Sequence, residues 1–198
     1  TRFTLRLLDA LGVKRVILGG NALGGEVAWQ TALLAPERVK KLILIDSDGY
    51  QISSLSQPIA FTIAGARWLR WVAERILPRS LIESSVRNVF GDPDKVSPTV
   101  VDRYFELNLR VGNRRALFQR MDQAESGANE RQIRQIKQPT LVLWGAEDGM
   151  APVAFADRFC ADIPKCTKVI FPRLAHIPQE EDPAGTLVPV RAFLAKNR

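Results

Sequence analysis

Three short stretches hold residue types that could do chemistry. The first is Gly20-Asn21-Ala22-Leu23-Gly24-Gly25. Glycines on both sides of one residue, between an apolar run and a helical pattern, make a sharp strand-to-helix turn that projects that residue's side chain. The glycines are required because Cβ atoms would collide in so tight a turn. In the pattern GxSxG the projected residue is a nucleophilic serine; here it is Ala22. The second stretch is Trp144-Gly145-Ala146-Glu147-Asp148, which offers a carboxylate at the end of an apolar run. The third is Ala175-His176-Ile177-Pro178, which carries the only histidine of the chain. A projected position, a carboxylate and an imidazole are the parts of acid–base and nucleophilic chemistry. Each stretch alone has a plainer reading. A glycine-rich turn also binds phosphate or merely packs tightly, although Gly20-x-x-x-Gly24 does not match the GxGxxG of a dinucleotide site. A lone histidine is commonly a surface or core residue.

The elements that must position these residues emerge from periodicity. Phe3, Leu7, Leu8 and Leu11 fall at helical spacing, and Gly12 ends that helix. Residues 13–20 (VKRVILGG) form a short apolar run bounded by glycine, which suits a parallel strand covered on both faces. Residues 23–35 return to helical period and are broken by Ala35-Pro36-Glu37; residues 41–46 (KLILID) are a second buried strand. From 51 to 137 the period is helical, with helices predicted over 60–77 and 102–120, and this stretch carries +5 of the charge. The strand–helix pattern then resumes, with a strand over 139–144, a helix over 152–163 and a strand over 167–171. The last helix is capped by Asp182-Pro183 and should be kinked or delayed by Pro189. The organisation is an α/β core of residues 1–50 and 138–198, interrupted by a helical insertion over 51–137.

Composition bounds the function. The 198 residues are 46% hydrophobic and 25% charged, the balance of an ordinary globular protein. No stretch approaches a membrane span of about 20 apolar residues, and Thr1 to Leu11 reads as an amphipathic helix instead of a targeting signal. The net charge of +7 is interspersed, without a basic stripe and interleaved aromatics, so nucleic acid is not an expected partner. Cys160 and Cys166 lack CxxC spacing, so no metal site is expected. Free thiols and a cytoplasmic location are the expectation, with a disulfide between the two as the alternative.

The stretches occur in the order elbow, Asp, His, with gaps of 126 and 28 residues. In that order the sequence resembles the α/β-hydrolase fold family, and most of all its capped bacterial serine hydrolases, which write GNSLGG, WGxxDxxxP and GHxPxxExP at these places. The likeness covers residues 5–50 and 138–196, and the insertion matches in position and helical character. The resemblance implies an α/β fold with a mostly parallel sheet and an inserted helical cap. It implies that His176 is the general base, Asp148 its orienting acid, the Leu23 N–H half of an oxyanion hole, and position 22 the nucleophile. The implied activity is hydrolysis of a small-molecule ester or related acyl compound, or of a carbon–carbon bond in a diketone, with no cofactor.

Two departures bear on activity. The Ala22 methyl can neither attack nor be deprotonated, so the chain is expected to be inactive or severely impaired. The family's first strands and the loop donating the second oxyanion N–H have no counterpart here. Four strands are therefore expected, the elbow strand open along one edge, and a second copy of the chain could cover it. Haloalkane dehalogenation is disfavoured, because it needs a carboxylate at position 22. Asp46 also ends a strand and competes with Asp148 as the acid; otherwise Asp46 and Asp48 read as turn or capping groups. Ser47, Ser53 and Ser54 are candidate nucleophiles that nothing places on a strained turn. Trp68 and Trp71 either pack the insertion on the core or line an apolar pocket, and one insertion arginine could hold a substrate carboxylate. The alternative function is a small-molecule-binding protein that keeps Asp148 and His176 but performs no chemistry.

Overall fold

The computed structural model describes residues 1–51, 75–123 and 127–196. Ser53, Ser54, Trp68, Trp71 and nearly all of the helix predicted over 60–77 lie outside the described residues.

Four strands, β1 (Val16–Asn21), β2 (Val39–Ile45), β3 (Thr140–Gly145) and β4 (Cys166–Phe171), form one parallel sheet in the order β1-β2-β3-β4. Strand β2 shows why the sheet is central. Leu42 and Leu44 point to one face, into a cluster with Trp29, Trp144 and Phe159. Ile43 and Ile45 point to the other, against Leu141, Leu143 and Phe193. Four successive apolar residues, Leu42 to Ile45, fit only where both faces of the strand are covered. Helices α1 (Arg2–Ala10) and α2 (Leu23–Leu34) flank β1 in sequence. Between β2 and β3 come α3 (Arg79–Arg87), α4 (Pro98–Leu109) and α5 (Asn113–Gln123). Helices α6 (Ala154–Asp162), α7 (Pro178–Glu181) and α8 (Pro183–Ala195) complete the fold. The segment between β2 and β3 has its own apolar cluster of Ile82, Val86, Phe90, Val96 and Val101.

Several expectations are corrected. The helix predicted over 102–120 is two helices, α4 and α5, separated at a turn where Gly112 takes φ +86°. Only a residue without a Cβ enters that region cheaply. Helix α3 is not legible in sequence, because its apolar period is short and flanked by polar residues. Pro189 does not delay the last helix: α8 runs through it. The ring removes one backbone donor, and Val190 and Phe193, packed on the sheet, hold the helix beyond the gap. Its start is capped as predicted, the Asp182 carboxylate accepting the Gly185 N–H at 2.9 Å. The cysteines are not free. Cys160, late in α6, and Cys166, opening β4, form a disulfide across Cα atoms 5.0 Å apart, a separation a disulfide spans. The five residues between them turn the chain back on itself, which sequence spacing alone does not reveal. The cytoplasmic expectation rested on free thiols, and the disulfide removes that ground. Among the described residues no helix is long and apolar enough to cross a membrane.

Candidate active site

The sharp turn forms at the end of β1. Ala22 takes φ +48°, ψ −120°, outside the region a residue with a Cβ prefers. Two backbone bonds tie it to β2 and the loop beyond: its N–H donates to Ile45 O at 3.0 Å, and its carbonyl accepts the Asp48 N–H at 3.1 Å. The glycines explain themselves by space. A Cβ on Gly20 would strike the backbone of Gly24, and one on Gly25 the side chain of Ser47. Leu23 opens α2, so its N–H has no intrahelical partner.

Asp148 and His176 are bonded. His176 Nδ1 lies 2.8 Å from Asp148 Oδ2, with the carboxylate fully buried and the imidazole nearly so. The other oxygen, Oδ1, accepts the N–H groups of Met150 at 2.7 Å and Ala151 at 3.1 Å. With Oδ1 accepting two backbone N–H groups, Oδ2 is left to accept from the imidazole. Nδ1 therefore carries the proton and donates it, leaving Nε2 with the free lone pair. The histidine loop is brought beside the elbow by Asn21, whose Nδ2 donates to His176 O at 2.8 Å and to Ile45 O at 3.1 Å. Asn21 immediately precedes Ala22, so the elbow and the imidazole loop share one hydrogen-bonding side chain.

Asp46 makes a different bond. It is fully buried at φ +41°, with Oδ1 accepting the Gly145 N–H at 2.9 Å and Oδ2 without a partner. Burial, offset in part by that N–H and reinforced by the neighbouring Asp148 charge, pushes its carboxyl up to about 9. Ser47 is buried too, its hydroxyl donating to Asp48 O. Asp48 is more than a turn residue: its carboxyl is raised by burial while the charges of His176 and Arg120 pull it back. Arg120, on α5, lies 3.5 Å from Glu26 on α2, whose own carboxyl is raised by burial and by Asp48. No sequence signal distinguishes Arg120 from the other arginines of the insertion. Glu181 is legible only as the Glu of HxPxxExP; it is buried and accepts three backbone N–H groups, from Gly91, Asp92 and Ala175. Among the described residues no group of three or more His, Cys, Asp or Glu side chains could hold a metal ion.

The profile of the α/β hydrolase fold matches residues 2–183. The chain belongs to the α/β hydrolase fold family. Its likeness to other members is distant. It is 24% identical over 182 residues to the uncharacterized hydrolase YugF of Bacillus subtilis, covering 92% of this chain and 66% of that protein. It is 30% identical over 188 residues to a 2-hydroxy-6-oxononadienedioate/2-hydroxy-6-oxononatrienedioate hydrolase of Paraburkholderia xenovorans, covering 88% of this chain and 60% of that protein. Among solved structures it superposes with a TM-score of 0.83, at 19% identity, on a serine-to-alanine mutant of the meta-cleavage product hydrolase CumD from Pseudomonas fluorescens IP01 complexed with acetates. That superposition covers 98% of this chain and 70% of the other, and it speaks for the fold. This α/β hydrolase chain thus spans about two thirds or less of the length of these curated relatives.

Proposed function

We propose that this chain carries the acid–base pair of a serine-hydrolase site for small-molecule esters or related acyl compounds, carbon–carbon bonds among them, with alanine at the nucleophile position. One observation carries the reading: the 2.8 Å Asp148–His176 bond, locked on the far oxygen by two backbone N–H groups, at the sheet edge where Ala22 occupies a strained elbow. The names of the relatives, hydrolases of oxo-dienoate compounds, agree with the carbon–carbon variant.

In this reading the roles are as follows. A hydroxyl at position 22 would attack the acyl carbon as its proton passes to His176 Nε2. Asp148 would hold the imidazole in the required tautomer and stabilise the imidazolium. The Leu23 N–H, at the start of α2, would donate to the developing oxyanion. Ala22 closes the covalent route. What remains is binding and electrostatics, which in serine hydrolases without their nucleophile retain roughly 10³–10⁴-fold over water. The chain as it stands is therefore a binder, or at best a residual catalyst.

The test is Ala22→Ser, with hydrolysis of p-nitrophenyl acetate as the readout. The revertant is expected to release p-nitrophenolate well above the parent, and His176→Ala in the revertant to abolish the gain. A folded revertant that stays silent while a small acid or ester still binds would favour the non-catalytic reading, which the intact Asp148–His176 pair beside a methyl group also fits.

A further inference from the structure

The loop carrying His176 is fastened to the helical segment between β2 and β3 as well as to the sheet. On the sheet side it has Asn21, Asp148 and the Glu147 N–H, which donates to Leu174 O at 3.0 Å. On the helical side the His176 N–H donates to Val89 O at 3.1 Å. The side chain of Ile177 is buried in the apolar cluster of Ile82, Val86, Phe90 and Val101. Glu180 accepts the Tyr104 hydroxyl at 3.0 Å and pairs with Arg103, both on α4. Glu181 stands at the centre. Its side chain is fully buried; Oε2 accepts the N–H groups of Gly91 at 2.9 Å and Ala175 at 3.1 Å, and Oε1 accepts the N–H of Asp92 at 2.9 Å. The turn it grips has no slack, since a Cβ on Gly91 would lie 2.6 Å from Arg173 O.

We propose that Glu181 is a positioning residue for His176, its carboxylate bolting the loop that bears the imidazole to the turn at residues 89–92, so that the helical segment sets where the base stands. The inference rests on the reading of His176 as the base. Its physical ground is the number of backbone donors held by one buried side chain. Removing the carboxylate leaves three buried N–H groups without an acceptor, one of them on the residue before His176. Movement of the segment that shapes a substrate site then moves the base as well.

The single histidine makes the test direct, because only one imidazole Nδ1–H signal exists to be followed by NMR in the 198-residue chain. In Glu181→Ala that signal is expected to broaden or vanish through exchange with water. Glu181→Gln, whose one carbonyl oxygen can still serve Gly91 and Ala175, is expected to retain it with faster exchange. Leu141→Ala, in the apolar cluster against α8, serves as a control of comparable stability loss and is expected to leave it unchanged. In the Ala22→Ser background, Glu181→Ala is expected to lower kcat by about 10–100-fold with little change in KM, the scale of a misplaced catalytic group, and Gln to restore part of it. An Nδ1–H signal that exchanges in the Gln and Ala variants as it does in the parent overturns the proposal; if the Ala variant does not fold, the exchange rate in the Gln variant decides alone. A changed signal in a chain whose Ala22→Ser form is silent upholds the positioning role and counts against the hydrolase reading, so the two failures are separable.

Discussion

At the scale of the residue, two carboxyl groups near the ends of neighbouring strands have been given opposite tasks by their surroundings. Asp148 has two backbone donors on one oxygen and an imidazole on the other, so its charge is fully answered. Asp46 has one backbone donor and a bare buried oxygen, so burial keeps it protonated up to about 9. The consequence for stability has a definite sign. Asp46 is a group with its folded pKa raised above the unfolded value of 3.8. Below that value both states hold the proton; above it the unfolded chain releases a proton that the folded chain keeps. Asp46 therefore costs stability progressively from about pH 4 to about pH 9, on the order of 1 kcal/mol per pH unit at most. Asp46→Asn keeps an oxygen for the Gly145 N–H and cannot ionise. Its stability advantage over the parent is expected to grow between pH 5 and pH 8 in urea unfolding, and parallel stability curves for the two proteins would refute this.

At the scale of the element, the ends of helices and strands are decided by partners far along the chain. Lys41 reads in sequence as one charge at the start of an apolar strand. In the fold it is buried, and its Nζ donates to the carbonyls of Phe193 at 3.0 Å, Leu194 at 3.3 Å and Lys196 at 2.6 Å. These are the last carbonyls of α8 and its cap, which have no intrahelical partner and sit at the negative end of the helix dipole. A lysine on β2 thus caps a helix more than 150 residues away. Lys41→Met is expected to destabilise the chain by about 1–3 kcal/mol and to speed amide exchange in the final turn of α8. Unchanged exchange there would show that water serves those carbonyls equally well. The same helix explains why Pro189 misleads: local rules charge a proline for its missing donor, but they do not see Phe193 anchored between Leu141 and Leu143.

At the scale of the whole molecule, the sheet has a well-covered centre and, among the described residues, two edge strands, β1 and β4. Strands β2 and β3 are paired on both sides, whereas among the described residues β1 pairs only with β2. Ile17 on β1 is 42% exposed, and Phe3, Leu7 and Leu11 of the first helix and its cap are exposed as well. A strand edge beside an apolar helix face invites another strand. The 198-residue chain is expected to self-associate in sedimentation velocity as its concentration rises, and Ile17→Lys to weaken that association, because a charge on an edge strand opposes edge-to-edge pairing. A chain that sediments as a monomer across the range would contradict the reading of the β1 edge as sticky.

The sequence by itself determined the local features. Short apolar runs mark the four described strands to within a few residues, and the three chemical stretches are legible because each lies where a strand gives way to a turn or loop. Gly20, Gly25 and the turn at Ala22 are dictated by contacts within a few residues, or with the next strand's end, so their meaning survives in the one-dimensional pattern. Tertiary structure alone decided the rest. Asn21 meets His176 across 155 positions and Glu181 meets Gly91 across 90, while the bond of the imidazole to Asp148 joins it to the acid that the resemblance already favoured over Asp46. The first two pairs leave no period and no spacing in the sequence. They form because folding removes water from groups that must then find a donor or an acceptor, and only the packed chain fixes which groups are within reach.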